Sequence, residues 1–444
     1  MSLTDLNGSR RSRQIASSEI RELLRLTQGS EIISLAGGLP DPELFPTEAI
    51  ARASATVALD RGPLQYGPTE GDDRLRAWIA ERHTRRTGHP TDANQVIVTA
   101  GSQQALDLVA RVLADAGDLV AVDDPGYIGA LQAFCGAELE LAGIPVDAGG
   151  LDVDHLGDRL ANGLAPQFVY TVPTFQNPTG TTLSAERRRV LGELAEHYGF
   201  VVVEDDPYDE LSFADPAPPP LGAFTDLVVS IGSFSKTIAP GLRVGWLIAP
   251  PTLAPVLSKA KQALDLHTSS VAQAIVAELV TTPGWFSSHI DHVAAIYHRR
   301  AATLHGALEG RWGDTIDCAP AEGGMFLWAT LPEGGGVDTR TLLAPALAEN
   351  VAFVPGGAFA VERDLSSSMR LSFATVSEPD LVEGADRLAR VVTQELWSPT
   401  VDDQPALSIA GIDEAEDMSL VSVEERLVYA NEARAVKFPR PEAL

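Results

Sequence analysis

Lys236 stands in Ser233-Phe234-Ser235-Lys236, with Pro240-Gly241-Leu242-Arg243 close behind, and the chain has only three other lysines. Those three, Lys259, Lys261 and Lys437, lie in polar-flanked stretches that read as helix surface or tail. A lysine among small hydroxyl residues, with a fixed cation seven positions on, has the parts to form an imine with an aldehyde cofactor while its neighbours hold a phosphate. Pyridoxal phosphate is the cofactor this chemistry suggests. A phosphate needs several donors, and Thr99-Ala100-Gly101-Ser102-Gln103-Gln104-Ala105 offers a second set. A glycine turn from strand into helix would aim the N–H groups of Ser102 and Gln103 at an anion. Ser233, Ser235 and Arg243 would complete the cup. Alone, such a turn is more often a plain connection and such a lysine an ordinary surface residue; it is the combination that points to a site.

A pyridine ring that takes up electrons works best with its nitrogen protonated, which calls for a buried carboxylate beside it. Glu204-Asp205-Asp206-Pro207-Tyr208 follows an apolar strand and supplies acids at its carboxyl end, where open α/β sheets place their ligands. Strand alternation sends Val201, Val203 and Asp205 to one face, Glu204 and Asp206 to the other. Asn177, in Gln176-Asn177-Pro178-Thr179-Gly180, and Tyr208 are suited to hydrogen-bond an oxygen on the ring. Tyr127, in Asp124-Pro125-Gly126-Tyr127, is placed to stack on the ring's open face.

The elements that must position these residues follow from pattern. Apolar runs at 95–99, 119–123, 138–142, 167–171, 200–204, 227–231 and 244–248 alternate with helical stretches at 103–114, 184–197 and 252–263. Near-continuous apolar strands such as Phe200-Val201-Val202-Val203 predict a mainly parallel, about seven-stranded sheet covered by helices on both faces, a three-layer α/β/α large domain. A long helix from 285 to about 310 would bridge to runs at 324–331, 351–354 and 370–373 and a helix at 379–397 opened by Ser377, a smaller α+β domain. The divisions expected are an N-terminal arm at 1–50, the large domain at 51–300, the small one at 301–397, and an acidic tail at 398–444 with one short helix after the capping box at Ser422-Val423-Glu424-Glu425.

A chain of 444 residues with a 45% hydrophobic share can bury the core of two domains. A net charge of −28 repels nucleic-acid phosphates and anionic membrane surfaces, so neither is expected as a partner. Cys135 and Cys318, far apart, give neither a disulfide framework nor a zinc-ligand cluster. With no signal-like segment and no run near the roughly 20 apolar residues that span a bilayer, a cytoplasmic protein is expected.

In their order along the chain, these segments resemble fold-type I pyridoxal-phosphate enzymes of the class I/II aminotransferase family, nearest the 2-aminoadipate and kynurenine aminotransferase subgroup, over about 15–397. The resemblance implies that Lys236 is the Schiff-base lysine, Asp205 the partner of the ring nitrogen, and Asn177 with Tyr208 the pair on the ring oxygen. It implies a phosphate cup of Ser102, Gln103, Ser233, Ser235 and Arg243, with Tyr127 stacking. Tyr66 matches a tyrosine that reaches the phosphate of a neighbouring subunit, hence a homodimer with shared sites. Arg370, in Met369-Arg370-Leu371, matches the arginine that grips the substrate α-carboxylate, aided by Gly38 and Asn177, and a helix at 18–26 matches a lid. The implied reaction carries an amino group between an aromatic, 2-aminoadipate-like or branched L-amino acid and a 2-oxo acid such as 2-oxoglutarate. An arylglycine aminotransferase of peptide-antibiotic biosynthesis, and a lyase or decarboxylase on the same fold, are the alternatives. A transcription regulator built on this fold would need an N-terminal winged helix-turn-helix, for which the residues before the family core leave no room.

Overall fold

A computed structural model describes residues 31–214, 216–313, 316–332 and 337–397, so the expected lid helix at 18–26 and tail at 398–444 lie outside the described residues. The large sheet is built from β2 (Val96–Thr99), β3 (Leu119–Asp124), β4 (Glu140–Asp147), β5 (Gly150–Leu151), β6 (Phe168–Thr171), β7 (Val201–Asp205), β8 (Val228–Ser233) and β9 (Gly245–Ile248), with β1 (Ile33–Ser34) apart from it. Its order is β2-β9-β8-β7-β6-β3-β4-β5. β4, β3, β6, β7 and β8 run parallel, β9 runs antiparallel to both its neighbours, and β5 turns back against β4. The carboxyl ends of β2, β3, β6, β7 and β8 therefore meet along one rim.

The helices α1 (Thr47–Ala58), α2 (Asp73–Thr87), α3 (Ser102–Leu113), α4 (Ile128–Gly136), α5 (Val153–Ala161), α6 (Ala185–Tyr198), α7 (Ala254–Asp265) and α8 (Ser270–Val280) cover this sheet. Side-chain alternation decides which helix meets which strand residue. Val169 and Val202 pack with Leu156 and Leu160 of α5 and Leu191 of α6. Phe168, Tyr170 and Val203 point the other way, toward Leu106 and Val109 of α3 and Phe134 of α4. Each fully buried Val, Leu or Phe contributes about 1.5–3 kcal/mol of transfer free energy, which is why the central strands tolerate no polar side chain without a partner. Asp72 and Ser184 open α2 and α6 by accepting N–H groups of the first turn.

Beyond α9 (Trp285–Trp312) lies a second sheet. β10 (Phe326–Thr330), β12 (Val354–Pro355) and β13 (Ser368–Ser372) pair antiparallel in the order β10-β13-β12, while β1 pairs parallel with β11 (Val351–Ala352). α10 (Thr339–Ala348) and α11 (Glu378–Trp397) back this unit, α11 lying along α9, and Ser377 caps α11 by accepting the Asp380 N–H at 3.3 Å.

Two sequence readings need correction. β4 occupies Glu140–Asp147 rather than 138–142, because Pro145, which would end most strands, is carried in register opposite Asp124. Lys261 is not on the surface: its side chain is 0% exposed, bonded to Asp265 one turn later on α7. Among the described residues no helix is long and apolar enough to cross a membrane.

Candidate active site

Along the rim where the parallel strands end, Ser102, Tyr127, Asn177, Asp205, Tyr208, Ser233, Ser235 and Lys236 line one cavity. Lys236 follows β8, and its Nζ donates to the Gly38 carbonyl at 2.7 Å. Burial, with the nearby cations Arg370 and Arg243, pulls its amine down to about 8, against the opposing pull of Asp205. A sizeable neutral fraction is then available near physiological pH, which an imine-forming nucleophile needs.

Asp205 ends β7 on the face that carries Val203. Burial pushes its carboxyl up to about 7, opposed by the hydroxyl of Tyr170, which donates to Oδ2 at 3.0 Å, and by the charge of Lys236. Its other oxygen, Oδ1, is buried without a hydrogen-bond partner. An open carboxylate oxygen facing a cavity beside a lysine is what a protonated ring nitrogen would satisfy, so these residues fit pyridoxal phosphate. Glu204 and Asp206 face the opposite side, toward Arg188 of α6, as strand alternation requires. Asn177 Nδ2 lies 3.5 Å from the hydroxyl of Tyr208, whose phenol burial pushes well up, so it stays a neutral donor.

The turn expected to form the phosphate cup is shaped by backbone. α3 starts immediately after Gly101, whose φ is +83, and no side chain caps its first turn. A Cβ at position 101 would sit 2.4 Å from the Arg243 guanidinium, and one at Gly245 2.8 Å from the Gly101 carbonyl carbon, so only glycine fits at either place. Arg243 itself is left-handed at φ +52 and donates to the Ala100 carbonyl at 3.0 Å, with Ser235 Oγ at 3.5 Å. Ser233 Oγ accepts the Ser235 N–H at 3.0 Å.

Arg370, from β13, is buried and reaches across from the second sheet. It donates to Asn177 Oδ1 and to the Ala36 carbonyl, each at 2.8 Å, and lies over the rings of Phe326 and Phe359 at 4.3 and 5.0 Å. Burial brings its guanidinium down to about 10, still charged, and its Nε has no partner. Gly38 faces it: a Cβ there would stand 3.7 Å from the guanidinium.

Arg243, Arg370 and Gly38 bond to residues that line the cavity, and two further expected residues stand apart from it. The Gln103 side chain is exposed and donates to the Gly129 carbonyl at 2.8 Å, leaving its backbone N–H as the group turned to the helix start. Tyr66 is 78% exposed, edge-on to His267 at 5.8 Å, and does not line the cavity of its own chain. Other supporting residues escaped the sequence reading. Tyr170 left one signal, a phenol hydroxyl in a fully buried strand, which must find a partner. Arg82 and Arg86 of α2 both bind Asp209, and Arg82 also binds Glu210, so ion pairs grip the loop that carries Tyr208. Arg188 donates to Thr174 Oγ1 at 2.9 Å, and Thr174 to Asp206 at 3.0 Å, tying the Asn177 loop to the end of β7.

The sequence profile of the family described as Aminotransferase class I and II matches residues 30–388. The aromatic-amino-acid aminotransferase 1 of Thermococcus litoralis is 43% identical over 387 residues, covering 85% of this chain and 92% of the relative. The 2-aminoadipate transaminase of Thermus thermophilus is 41% identical over 386 residues, covering 85% and 94%. The crystal structure of Pyrococcus horikoshii kynurenine aminotransferase, solved in complex with PMP, superposes with a TM-score of 0.84 at 39% identity, over 89% of this chain and 99% of that one. Likeness of that extent spans the whole cavity and both sheets that border it. The chain belongs to the class I and II aminotransferase family and is a pyridoxal-phosphate-dependent enzyme that transfers amino groups between amino acids and 2-oxo acids.

Proposed function

We propose that this aminotransferase takes the amino group of an L-amino acid with a long or bulky side chain, aromatic, 2-aminoadipate-like or branched, and passes it to a 2-oxo acid such as 2-oxoglutarate. The observation that carries the reading is Arg370: a buried guanidinium with an unpartnered Nε, joined through Asn177 to the cavity of Lys236. Its planar fork suits the α-carboxylate of an amino acid. The names of the relatives, aromatic-amino-acid and 2-aminoadipate aminotransferases, support the side-chain class.

Pyridoxal phosphate, when bound, supplies an aldehyde for amino exchange and a ring that accepts the electron pair left at Cα. The chain's residues do the rest. Lys236 would hold the cofactor covalently, and its free amine, with a pKa drawn down to about 8, is suited to take and return the Cα proton. Asp205 keeps the ring nitrogen protonated, and Asn177 and Tyr208 donate to the ring oxygen. The N–H groups of Ser102 and Gln103, the hydroxyls of Ser233 and Ser235, and Arg243 grip the phosphate, while Tyr127 stacks on the ring. Arg370, Gly38 and Asn177 hold the substrate carboxylate. The enzyme is a homodimer, in which the partner subunit's Tyr66 reaches the phosphate; the high exposure of Tyr66 supports this. Residues 51–300 form the cofactor domain and 301–397 the small domain, and the setting is cytoplasmic, in keeping with the free thiols Cys135 and Cys318.

The test is a panel of amino donors with 2-oxoglutarate, run alongside Lys236→Ala. Aromatic, 2-aminoadipate or branched donors should give the highest kcat/KM; a preference for alanine or for phenylglycine-type donors would overturn the substrate reading. The lysine variant should lose turnover by a factor on the order of 10⁴ and leave no borohydride-fixed cofactor mass at position 236.

A further inference from the structure

Behind the glycine turn and outside the cavity lies a set of three side chains, Lys261 buried and Gln104 and Asp265 half-buried. Gln104 of α3 accepts the Ala100 N–H at Oε1, 2.7 Å, and donates through Nε2 to Asp265 Oδ2, also 2.7 Å. Lys261, its side chain 0% exposed, donates to both oxygens of Asp265 at 2.7 and 3.0 Å. A buried ammonium is costly unless paired, and pairing of this kind adds little net stability, so its effect is sought in orientation. Both oxygens of Asp265 accept from Lys261, and a carboxylate paired in this way offers only acceptors. Gln104 must therefore turn its NH₂ to Asp265, which leaves its oxygen for Ala100. Arg243 meanwhile holds the Ala100 carbonyl at 3.0 Å. Both polar groups of Ala100 are thus taken, and the uncapped N–H groups of the first turn of α3 are left for an anion.

We propose that Lys261, Asp265 and Gln104 are positioning residues, a relay from α7 to α3 that fixes the Ala100-Gly101-Ser102 turn in the shape that grips the cofactor phosphate. The relay rests on the reading of that turn as the phosphate cup.

Full-length protein, stripped of cofactor, is titrated with pyridoxal phosphate and, separately, with pyridoxal, which lacks the phosphate. Gln104→Leu and Asp265→Ala should weaken binding of pyridoxal phosphate by about tenfold or more, as loss of an orienting partner does at metal sites, and leave pyridoxal within about twofold. The double variant Lys261→Met with Asp265→Asn should keep wild-type affinity, because the new amide oxygen still accepts from Gln104 and no unpaired charge remains. Equal losses for both vitamers would mean a merely structural role, and unchanged phosphate affinity in Gln104→Leu would remove the relay outright. Should Asp265→Ala fail to fold, Gln104→Leu, which strands no charge, decides. Wild-type protein that bound neither vitamer would instead sink the cup itself.

Discussion

The hydroxyl of Tyr170 works against the burial of Asp205. Burial favours the protonated carboxyl, and the hydrogen bond at 3.0 Å favours the carboxylate, the form proposed to face the ring nitrogen. A hydrogen bond to a charged group is worth about 1.5–3 kcal/mol, and each 1.36 kcal/mol corresponds to about one pH unit. Tyr170→Phe should therefore raise the Asp205 pKa, so that the carboxylate is lost at a higher pH than in the wild type. The acid limb of kcat/KM should move up by about one pH unit; a lower rate with an unmoved limb would refute this assignment. In the cofactor-free protein the same logic governs stability. Folding raises the Asp205 pKa from its ordinary 3.8 to about 7, so its contribution is full at acid pH and is lost as pH rises through that window.

Elements meet the site through ion pairs as well as through packing. Arg82 and Arg86 project from α2 onto Asp209, whose carboxyl burial pushes up but the two guanidiniums hold below its usual range. Asp209→Asn keeps the shape but takes from Arg86 its carboxylate partner and from Arg82 one of two, Glu210 remaining, which should cost about 3 kcal/mol. Urea denaturation of the cofactor-free protein would register this as a lower midpoint, and an unchanged midpoint would show that the pairs hold nothing. Such contacts mark the boundary of what the sequence reveals. The seven strand sites were legible because buried strands need near-continuous apolar runs, and the meeting of Lys236 and Asp205 at one cavity was legible because each stands in a short local string beyond or at a strand's end. The partners of Arg82 lie more than a hundred residues away, at Asp209 and Glu210, and no local pattern announces them. Lys261 misled for a related reason: its flanks are polar, and the groups that let it be buried, Asp265 and Gln104, belong to one helix turn and to a distant helix. β4 runs five residues past the 142 expected for it, through a proline that tertiary pairing accepts.

On the scale of the whole molecule, Leu59, Leu64 and Tyr66 leave 89%, 70% and 78% of their surfaces open, a grouping that suits a second copy of the chain. If Tyr66 serves the opposite site, mixing Lys236→Ala protomers with Tyr66→Ala protomers should regenerate one intact site per hybrid dimer. Activity should rise well above that of either variant alone, whereas no recovery would place Tyr66 in the service of its own chain. The two sheets are joined at the cavity by Arg370 with Asn177 and by Lys236 with the Gly38 carbonyl. Those same four residues are the ones proposed to receive substrate and cofactor. Fastening and reception thus fall on a single seam, so a substitution that loosens either of these two contacts also bears on what the proposed site can hold.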